Sequence, residues 1–203
     1  MARSAIKTWL LQRREMRNTC PACGAPYVDP TPTPPFDALN NEFVKFGVTV
    51  AQVLKHRGKV PDRELDANIG FILLNKEQQR SLESFSQAER HVATVQAMFR
   101  EVNNGGFEQF FDNSSGELAY DLVPALEAMN SVENLRLAKQ ALERFGKPRS
   151  LSMRDRIDHI TKITRNGEER LWDDLDSAFY DDPEDIEKMI LDYIERNLGQ
   201  FAA

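Results

Sequence analysis

Two cysteines are the side chains of this sequence best suited to bind a metal. Cys20 and Cys23 lie in the segment Thr-Cys-Pro-Ala-Cys-Gly, the tight turn from which two thiolates can hold one zinc ion. A structural zinc site needs four ligands, and the sequence has no second Cys-x-x-Cys pair and no histidines at ligand spacing. Three interpretations stay open: reduced structural cysteines, a zinc site completed by a histidine or by a second chain, and redox chemistry.

No known catalytic motif accompanies the cysteines. The sequence lacks the HExxH, P-loop and GxSxG patterns. His91 and His159 fall within helical patterns beside charged residues, which predicts that they lie on solvated helix faces. We therefore expect a protein without enzymatic activity. The alternative is an enzyme with a pocket at the corner formed by residues 103–115.

Carboxylates are concentrated near the end of the chain. Between residues 171 and 196 there are ten acidic side chains and only two basic ones, a net charge of −8. Residues three or four apart on a helix have Cβ atoms about 5–6 Å apart. Such helices can display negative charge on the scale of duplex phosphates, which supply one charge per about 1.7 Å of axis. The alternative is that these carboxylates are ordinary solvated helix ends, favoured by the helix dipole.

The predicted role of this acidic surface is to stand in for phosphates and bind a basic or DNA-binding protein. The residues predicted to form it are Asp173, Asp174, Asp176, Asp181, Asp182, Glu184, Asp185, Glu187, Asp192 and Glu195.

The overall composition indicates a soluble, cytoplasmic protein with a divided charge. Of its 203 residues, 41% are hydrophobic and 29% are charged. Residues 1–60 have a net charge of +5, whereas residues 61–203 have −11, which argues against direct nucleic-acid binding by the acidic part. No apolar run approaches the roughly 20 residues that span a bilayer, and the basic N-terminus lacks the apolar segment of a signal peptide. We expect no membrane association.

A proline-rich segment marks the predicted domain boundary. Residues 30–35 read Pro-Thr-Pro-Thr-Pro-Pro, a stiff extended linker, because proline fixes φ and prevents helix formation. We predict a small basic N-terminal segment at residues 1–35, which contains the cysteine pair and an amphipathic helix over 3–17. A helical domain follows at residues 36–203.

Apolar residues after this linker recur at spacings of three and four, which predicts an all-α, multi-helix globular domain without strands. The predicted helices cover, to within a few residues, 36–56, 61–73, 86–102, 117–129, 131–145, 157–163, 171–181 and 182–199. Pro124 lies inside one of them and is expected to kink or interrupt it. The predicted helix caps are the Ser86/Glu89 and Ser114/Glu117 capping boxes, Ser131, and the Asp182-Pro183 pair.

The string NNGGFEQFFDNSSG, between the two central helices, is the best-defined corner of the predicted fold. Tandem Gly105-Gly106 permits positive φ and suits a helix end. With the asparagines before it, the pair could instead form an anion-binding nest. Phe107, Phe110 and Phe111 are spaced so that one helical turn presents all three to a core. We interpret the segment as a structural corner.

This corner resembles the signature of a bacterial domain family that was first catalogued as a domain of unknown function and is now named for a DNA-mimic protein. With its flanks, the similarity extends over about residues 80–198. The resemblance implies an all-helical domain and, for the characterised mimic, an acidic surface that binds a DNA-binding transcription factor in place of DNA, as a dimer. The matching positions are Asn103, Gly105, Gly106, Phe107, Phe110, Phe111, Asn113, Ser114 and Gly116.

The cysteine pair lies outside this resemblance. It supports a different function, a zinc-linked assembly of two chains through Cys20 and Cys23.

Overall fold

The computed structural model describes residues 48–165, 169–181 and 184–201. Cys20, Cys23, the predicted helix at 3–17 and the predicted boundary at residue 35 lie outside these residues, as does Asp182. The described residues fall into two units, 48–80 and Ser81–Phe201.

The described part of the first unit contains two helices, α1 (Val50–Leu54) and α2 (Asp62–Arg80). Thr49 is extended, with φ −96° and ψ 157°, and forms a capping box with Gln52 in which each side chain accepts a hydrogen bond from the other residue's amide. The prediction of one uninterrupted helix over 36–56 is therefore wrong at this point, because α1 begins only after Thr49.

The second unit contains six α-helices and three 3-10 helices in its described residues. The α-helices are α3 (Gln87–Asp112), α4 (Leu122–Ala128), α5 (Glu133–Phe145), α6 (Met153–Ile163), α7 (Asp173–Asp181) and α8 (Ile186–Arg196). The 3-10 helices are Leu82–Ser84, Ser114–Asp121 and Leu198–Phe201. The part of the chain that the structure describes contains no β-strand, only one isolated bridge between Arg57 and Val60. The prediction of an all-α fold is confirmed.

Helix α3 lies at the centre of the second unit and packs against α4, α6, α7, α8 and two of the 3-10 helices. The predicted capping box at its start is confirmed: Ser86 Oγ accepts the Glu89 amide at 3.1 Å, and Glu89 Oε2 accepts the Ser86 amide at 2.8 Å. The predicted apolar face is buried at Ala88, Val92, Val95 and Val102. These residues fix the direction in which α3 enters the core.

Two predictions about the segment after α3 are wrong. Ser114 and Glu117 do not form a capping box, because Ser114–Asp121 is a 3-10 helix that follows Asn113 without a side-chain cap. The α-helix predicted near Glu117 begins at Leu122, so Pro124 is its third residue. Amides in the first turn of a helix have no partner within the helix. A proline there, which has no amide hydrogen, therefore does not kink the helix.

The last helix also begins later than predicted. Asp185, not Asp182, is the N-cap of α8, and its Oδ1 accepts the amide of Lys188 at 3.0 Å. The end of α5 agrees with the prediction, because α5 stops at Phe145 and Gly146 follows with φ +68°.

Candidate functional site

The corner motif divides α3 into two segments, 87–104 and 107–112. Gly105 has φ −165° and ψ 24°, and Gly106 has φ 80° and ψ −177°, so the helix changes direction between them. Gly106 lies in the left-handed region, and a Cβ placed on it would lie 2.2 Å from Asp176 Oδ2. Only glycine satisfies both the backbone angle and the close approach of this carboxylate.

Asp176 caps the second segment of α3 from helix α7. Its Oδ1 accepts the amide of Phe107 at 2.8 Å, which satisfies a donor at the start of that segment. Burial raises the pKa of Asp176, the Phe107 amide partly offsets this, and the negative charges of Asp173 and Asp174 raise it further. One of the predicted partner-binding residues is therefore also part of the corner.

The three phenylalanines of the motif are fully buried, as predicted. Phe107, Phe110 and Phe111 each have 0% of their surface exposed. Phe111 stacks on Phe145, with ring centroids 4.3 Å apart and planes 4° apart, and it also contacts Trp172 at 5.5 Å. The corner is thus held in the core by aromatic contacts from α5 and from the residue before α7.

Glu101 connects the two segments of α3 on the polar side of the corner. Its Oε2 accepts hydrogen bonds from Gln109 Nε2 at 2.9 Å and from Asn113 Nδ2 at 2.8 Å. Burial alone would raise the pKa of Glu101, but these hydrogen bonds outweigh it and hold the pKa below its ordinary value. Sequence reasoning missed this contact because its partners are eight and twelve residues away, spacings that meet only across the kink.

A buried arginine holds the end of the second segment. Arg156 on α6 is fully buried, and its guanidinium donates to the carbonyls of Phe111 at 2.8 Å, Asn113 at 2.5 Å, and Leu151. Two of these carbonyl groups, those of Phe111 and Asn113, lie at the C-terminal end of α3, where the helix dipole favours a positive charge. A Cβ on Gly116 would lie 2.4 Å from the Phe111 carbonyl oxygen and 2.5 Å from Arg156 Nε. The last glycine of the motif is therefore required by packing, and the role of Arg156 left no signal in the sequence.

An open groove of about 490 Å³ runs beside the corner. Its walls come from the second segment of α3 and the start of α7, and each wall contributes two carboxylates, while Arg170 is the one cation among the described residues that line it. The carboxylates are Glu108, Asp112, Asp173 and Asp176. No histidine, cysteine, serine or lysine is among these lining residues.

The predicted acidic residues of α7 differ in their contacts. Asp174 is 66% exposed at its side chain and forms a bidentate ion pair with Arg144, with Oδ2 2.8 Å from Nη2. The Arg144 hydrogen bond lowers the pKa of Asp174 to about 2, so this carboxylate stays ionised. Asp173 and Asp181 are exposed at the two ends of the same helix.

Glu184 caps a helix that lies fifty residues earlier in the chain. Its carboxylate accepts hydrogen bonds from Ser131 Oγ at 2.6 Å, the Val132 amide at 2.7 Å, and the amide and side chain of Asn134 at 2.9 and 2.8 Å. Burial opposes ionisation, but these bonds outweigh it and lower the pKa of Glu184. The prediction that Ser131 caps α5 is therefore wrong: Ser131 donates to the carboxylate that does so.

The remaining predicted acidic residues lie on α8 or outside the described residues. Asp192 Oδ2 is 2.7 Å from Lys188 Nζ, and Asp185 is the N-cap described above. Glu195 is exposed and Glu187 is half-exposed. Asp182 is not among the described residues.

Two histidines differ from the prediction of solvated faces. His91 is buried and its Nδ1 lies 2.9 Å from the Tyr193 hydroxyl, while His159 is half-buried with Nε2 2.6 Å from the Phe145 carbonyl oxygen. Burial lowers the pKa of His91. Within the described residues, no group of three or more His, Cys, Asp or Glu side chains could hold a metal ion. None of the helices described is long and apolar enough to cross a membrane.

Comparison with known proteins gives one family. The family model described as "DMP19-like protein" matches residues 83–197, which contain the whole corner, both walls of the acidic groove and helix α8. No curated protein and no solved structure matches the chain.

Proposed function

The chain belongs to the DMP19-like protein family, and from that premise we propose that it is a non-enzymatic acidic interaction protein, a DNA mimic. In this proposal its acidic surface binds a DNA-binding protein, such as a transcriptional regulator, in place of DNA. The family is the one that the corner motif indicated, so the resemblance noted in the sequence is confirmed.

The observation that carries the proposal is the placement of carboxylates on both walls of the groove. Glu108 and Asp112 are four residues apart on the second segment of α3, and Asp173 and Asp176 are three residues apart on α7. At these spacings, side chains on a helix lie on the same face. A cationic side chain that enters the groove therefore meets negative charge from two sides, as a basic side chain does between the phosphates of a duplex.

In this proposal the predicted acidic residues have two roles. Glu184 holds the fold through the hydrogen bonds described above, and Asp176 does so through Oδ1 while it also lines the groove. Contact with the partner is assigned to the exposed or half-exposed carboxylates of α7 and α8, together with Glu108 and Asp112, which sequence reasoning did not select. Asp174 is already paired with Arg144, so the exposed Asp173 and Asp181 are the α7 carboxylates best placed for this contact.

The experiment is an affinity purification from cell lysate at low salt, with elution by salt, identification by mass spectrometry, and competition by duplex DNA. We expect a DNA-binding protein that duplex DNA displaces. The variant Glu108→Gln/Asp112→Asn/Asp173→Asn should bind it at least tenfold more weakly, with a shallower dependence of affinity on salt, because fewer charges are paired on binding.

The matched control is Glu127→Gln/Glu133→Gln/Glu143→Gln, which removes three carboxylates from α4 and α5, outside the groove. This control should bind as the wild type does. Equal losses in the two triple variants would mean that only net charge matters and would remove the groove from the proposal. A captured protein that duplex DNA does not displace would contradict mimicry itself.

A further inference from the structure

A single cation, Arg170, lines the acidic groove beside the corner among the residues that the structure describes. Two other arginines of the same unit are paired with carboxylates within the fold, Arg144 with Asp174 and Arg165 with Glu169. Arg170 is exposed, and it forms no ion pair or hydrogen bond with any described residue. Its guanidinium therefore lies in a groove with four carboxylates without being held by one of them, and it is available to a ligand.

Most other side-chain donors that line the groove are used within the fold. Gln109 and Asn113 donate to the glutamate that connects the two segments of α3, at 2.9 and 2.8 Å. The Trp172 indole donates to a backbone carbonyl of α5 at 3.2 Å. Within the described residues, Arg170 and Asn104 are the lining donors that have no partner. Arg170 is the stronger of the two, because its rigid fork of N–H groups carries a positive charge.

A DNA duplex presents donors as well as phosphates to the protein that binds it. The phosphates accept hydrogen bonds from lysine and arginine, and they carry no information on base sequence. In the major groove, adenine N6 and cytosine N4 are donors, and asparagine, glutamine or a carboxylate of the protein accepts from them. Carboxylates alone can replace only the phosphates. The Arg170 guanidinium adds N–H donors beside the carboxylates, so the groove presents both kinds of group.

We infer that Arg170 is a specificity-determining residue of this groove. It donates to an accepting amide side chain, an asparagine or a glutamine, that lies between the basic side chains of the partner. A partner that has only lysines and arginines there leaves Arg170 without an acceptor and beside a like charge. Specific interfaces combine an attraction to the correct partner with such a repulsion of others. The inference rests on the proposed function, because it assumes a basic protein partner, and it adds one selective contact to that interaction.

The test uses two synthetic peptides of equal charge and of about 12 residues, roughly 40 Å when extended. Lysine alternates with asparagine in one peptide and with alanine in the other, so the result does not depend on one alignment of the peptide in the groove. Binding to the full chain is measured by fluorescence anisotropy at low and at moderate salt. The wild type should bind the asparagine peptide about fivefold more tightly, the typical effect of one net hydrogen bond.

Arg170→Met removes the charge and the donors and should abolish this preference. It should also bind the alanine peptide more tightly than the wild type does, because a like charge has gone. Arg170→Lys keeps the charge without the fork, so it should bind the alanine peptide as the wild type does and show a smaller preference. The matched control is Arg154→Met, which removes an exposed arginine of α6 outside the groove and should keep the preference. Because Arg170 is exposed and unpaired among the described residues, its replacement leaves the core unchanged.

The possible results separate this inference from the proposed function. If the wild type binds both peptides equally, with an affinity that falls as salt rises, the role of Arg170 is wrong and the acidic surface stands. The same conclusion follows if Arg170→Met tightens the binding of both peptides by one factor, because Arg170 then acts only through its charge. A preference that Arg154→Met loses as fully as Arg170→Met does would also overturn the assignment. If neither peptide binds at low salt, both proposals are overturned.

Discussion

Gly106 and Asp176 meet at the kink of α3, where the carboxylate occupies the space that a side chain on Gly106 would need. The same carboxylate accepts the Phe107 amide. Two motif positions that are adjacent in sequence are thus explained by one residue that lies about seventy positions away. At this scale the motif is a set of steric and hydrogen-bonding requirements of a corner, and a role in binding is not needed to explain it.

The first prediction at the residue scale concerns crowding at Gly106. Gly106→Ala adds a Cβ at positive φ and against Asp176, so we expect it to lower the free energy of unfolding by about 2 kcal/mol or more. Gly146→Ala is the matched control: Gly146 also has positive φ, but its nearest neighbour to an added Cβ is His159 Nε2 at 3.8 Å. Denaturant unfolding should show the larger loss for Gly106→Ala, and equal losses would contradict the role given to Asp176.

The second prediction concerns the charge of Asp176. Burial raises the pKa of this carboxyl in the folded state, so the fold binds its proton more readily than the unfolded chain does, and ionisation near neutral pH is destabilising. Asp176→Asn keeps an oxygen for the Phe107 amide without the charge, so it should be at least as stable as the wild type at pH 7. The difference should close as pH falls through the folded pKa of Asp176, because the protonated acid is also neutral.

Denaturant unfolding of the wild type and of Asp176→Asn across this pH range checks the sign of the difference in stability. Asp173→Asn is the control for the loss of one exposed charge. Asp176→Ala removes the acceptor and should cost about 1 kcal/mol, as the loss of a helix cap does. A wild type that is more stable than Asp176→Asn at pH 7 would show that the carboxylate form is favoured in the fold.

At the scale of the elements, α5 depends on a carboxylate from the segment before α8. Glu184 accepts four hydrogen bonds at the start of α5, three of them on Oε2. A glutamine cannot replace it, because its amide nitrogen would face a donor. Since the folded pKa of Glu184 is lowered, the stability that it contributes is present above the ordinary glutamate pKa and is lost as pH falls through the folded value.

We therefore expect Glu184→Gln to lower the free energy of unfolding at pH 7 by about 1 kcal/mol, the typical cost of a lost helix cap. Hydrogen exchange at the Val132 and Asn134 amides should accelerate in the same variant. Glu187→Gln removes a neighbouring charge that has no part in this cap and should change neither measurement. If the two variants behave alike, Glu184 acts through its charge and not as a cap.

At the scale of the whole molecule, charge is divided within the second unit as well as along the chain. Residues 147–165 have a net charge of +4, whereas residues 171–196 have −8. A protein with charge separated in this way orients a cationic partner towards its acidic side before contact. The family match covers almost all of the second unit and none of the first 82 residues. The interpretation of Cys20 and Cys23 as zinc ligands stays a prediction, because both lie outside the described residues.

The sequence by itself determined the features that depend on neighbouring residues. The apolar spacing predicted the buried face of α3, the Ser86/Glu89 pair predicted its capping box, Gly146 predicted the end of α5, and the corner string indicated the family. Each of these rests on contacts within four residues or on a recognisable string. The all-α class follows from the same local periodicity.

Only the tertiary structure decided which carboxylates accept hydrogen bonds within the fold and which face solvent. Asp176 caps a segment 69 residues away, and Glu184 caps one about 50 residues away, although in the sequence both resemble their exposed neighbours. It also brought Glu108 and Asp112 opposite Asp173 to form the groove. Spacing along one helix defines which side chains share a face, but the partner of that face depends on how helices distant in sequence pack against each other.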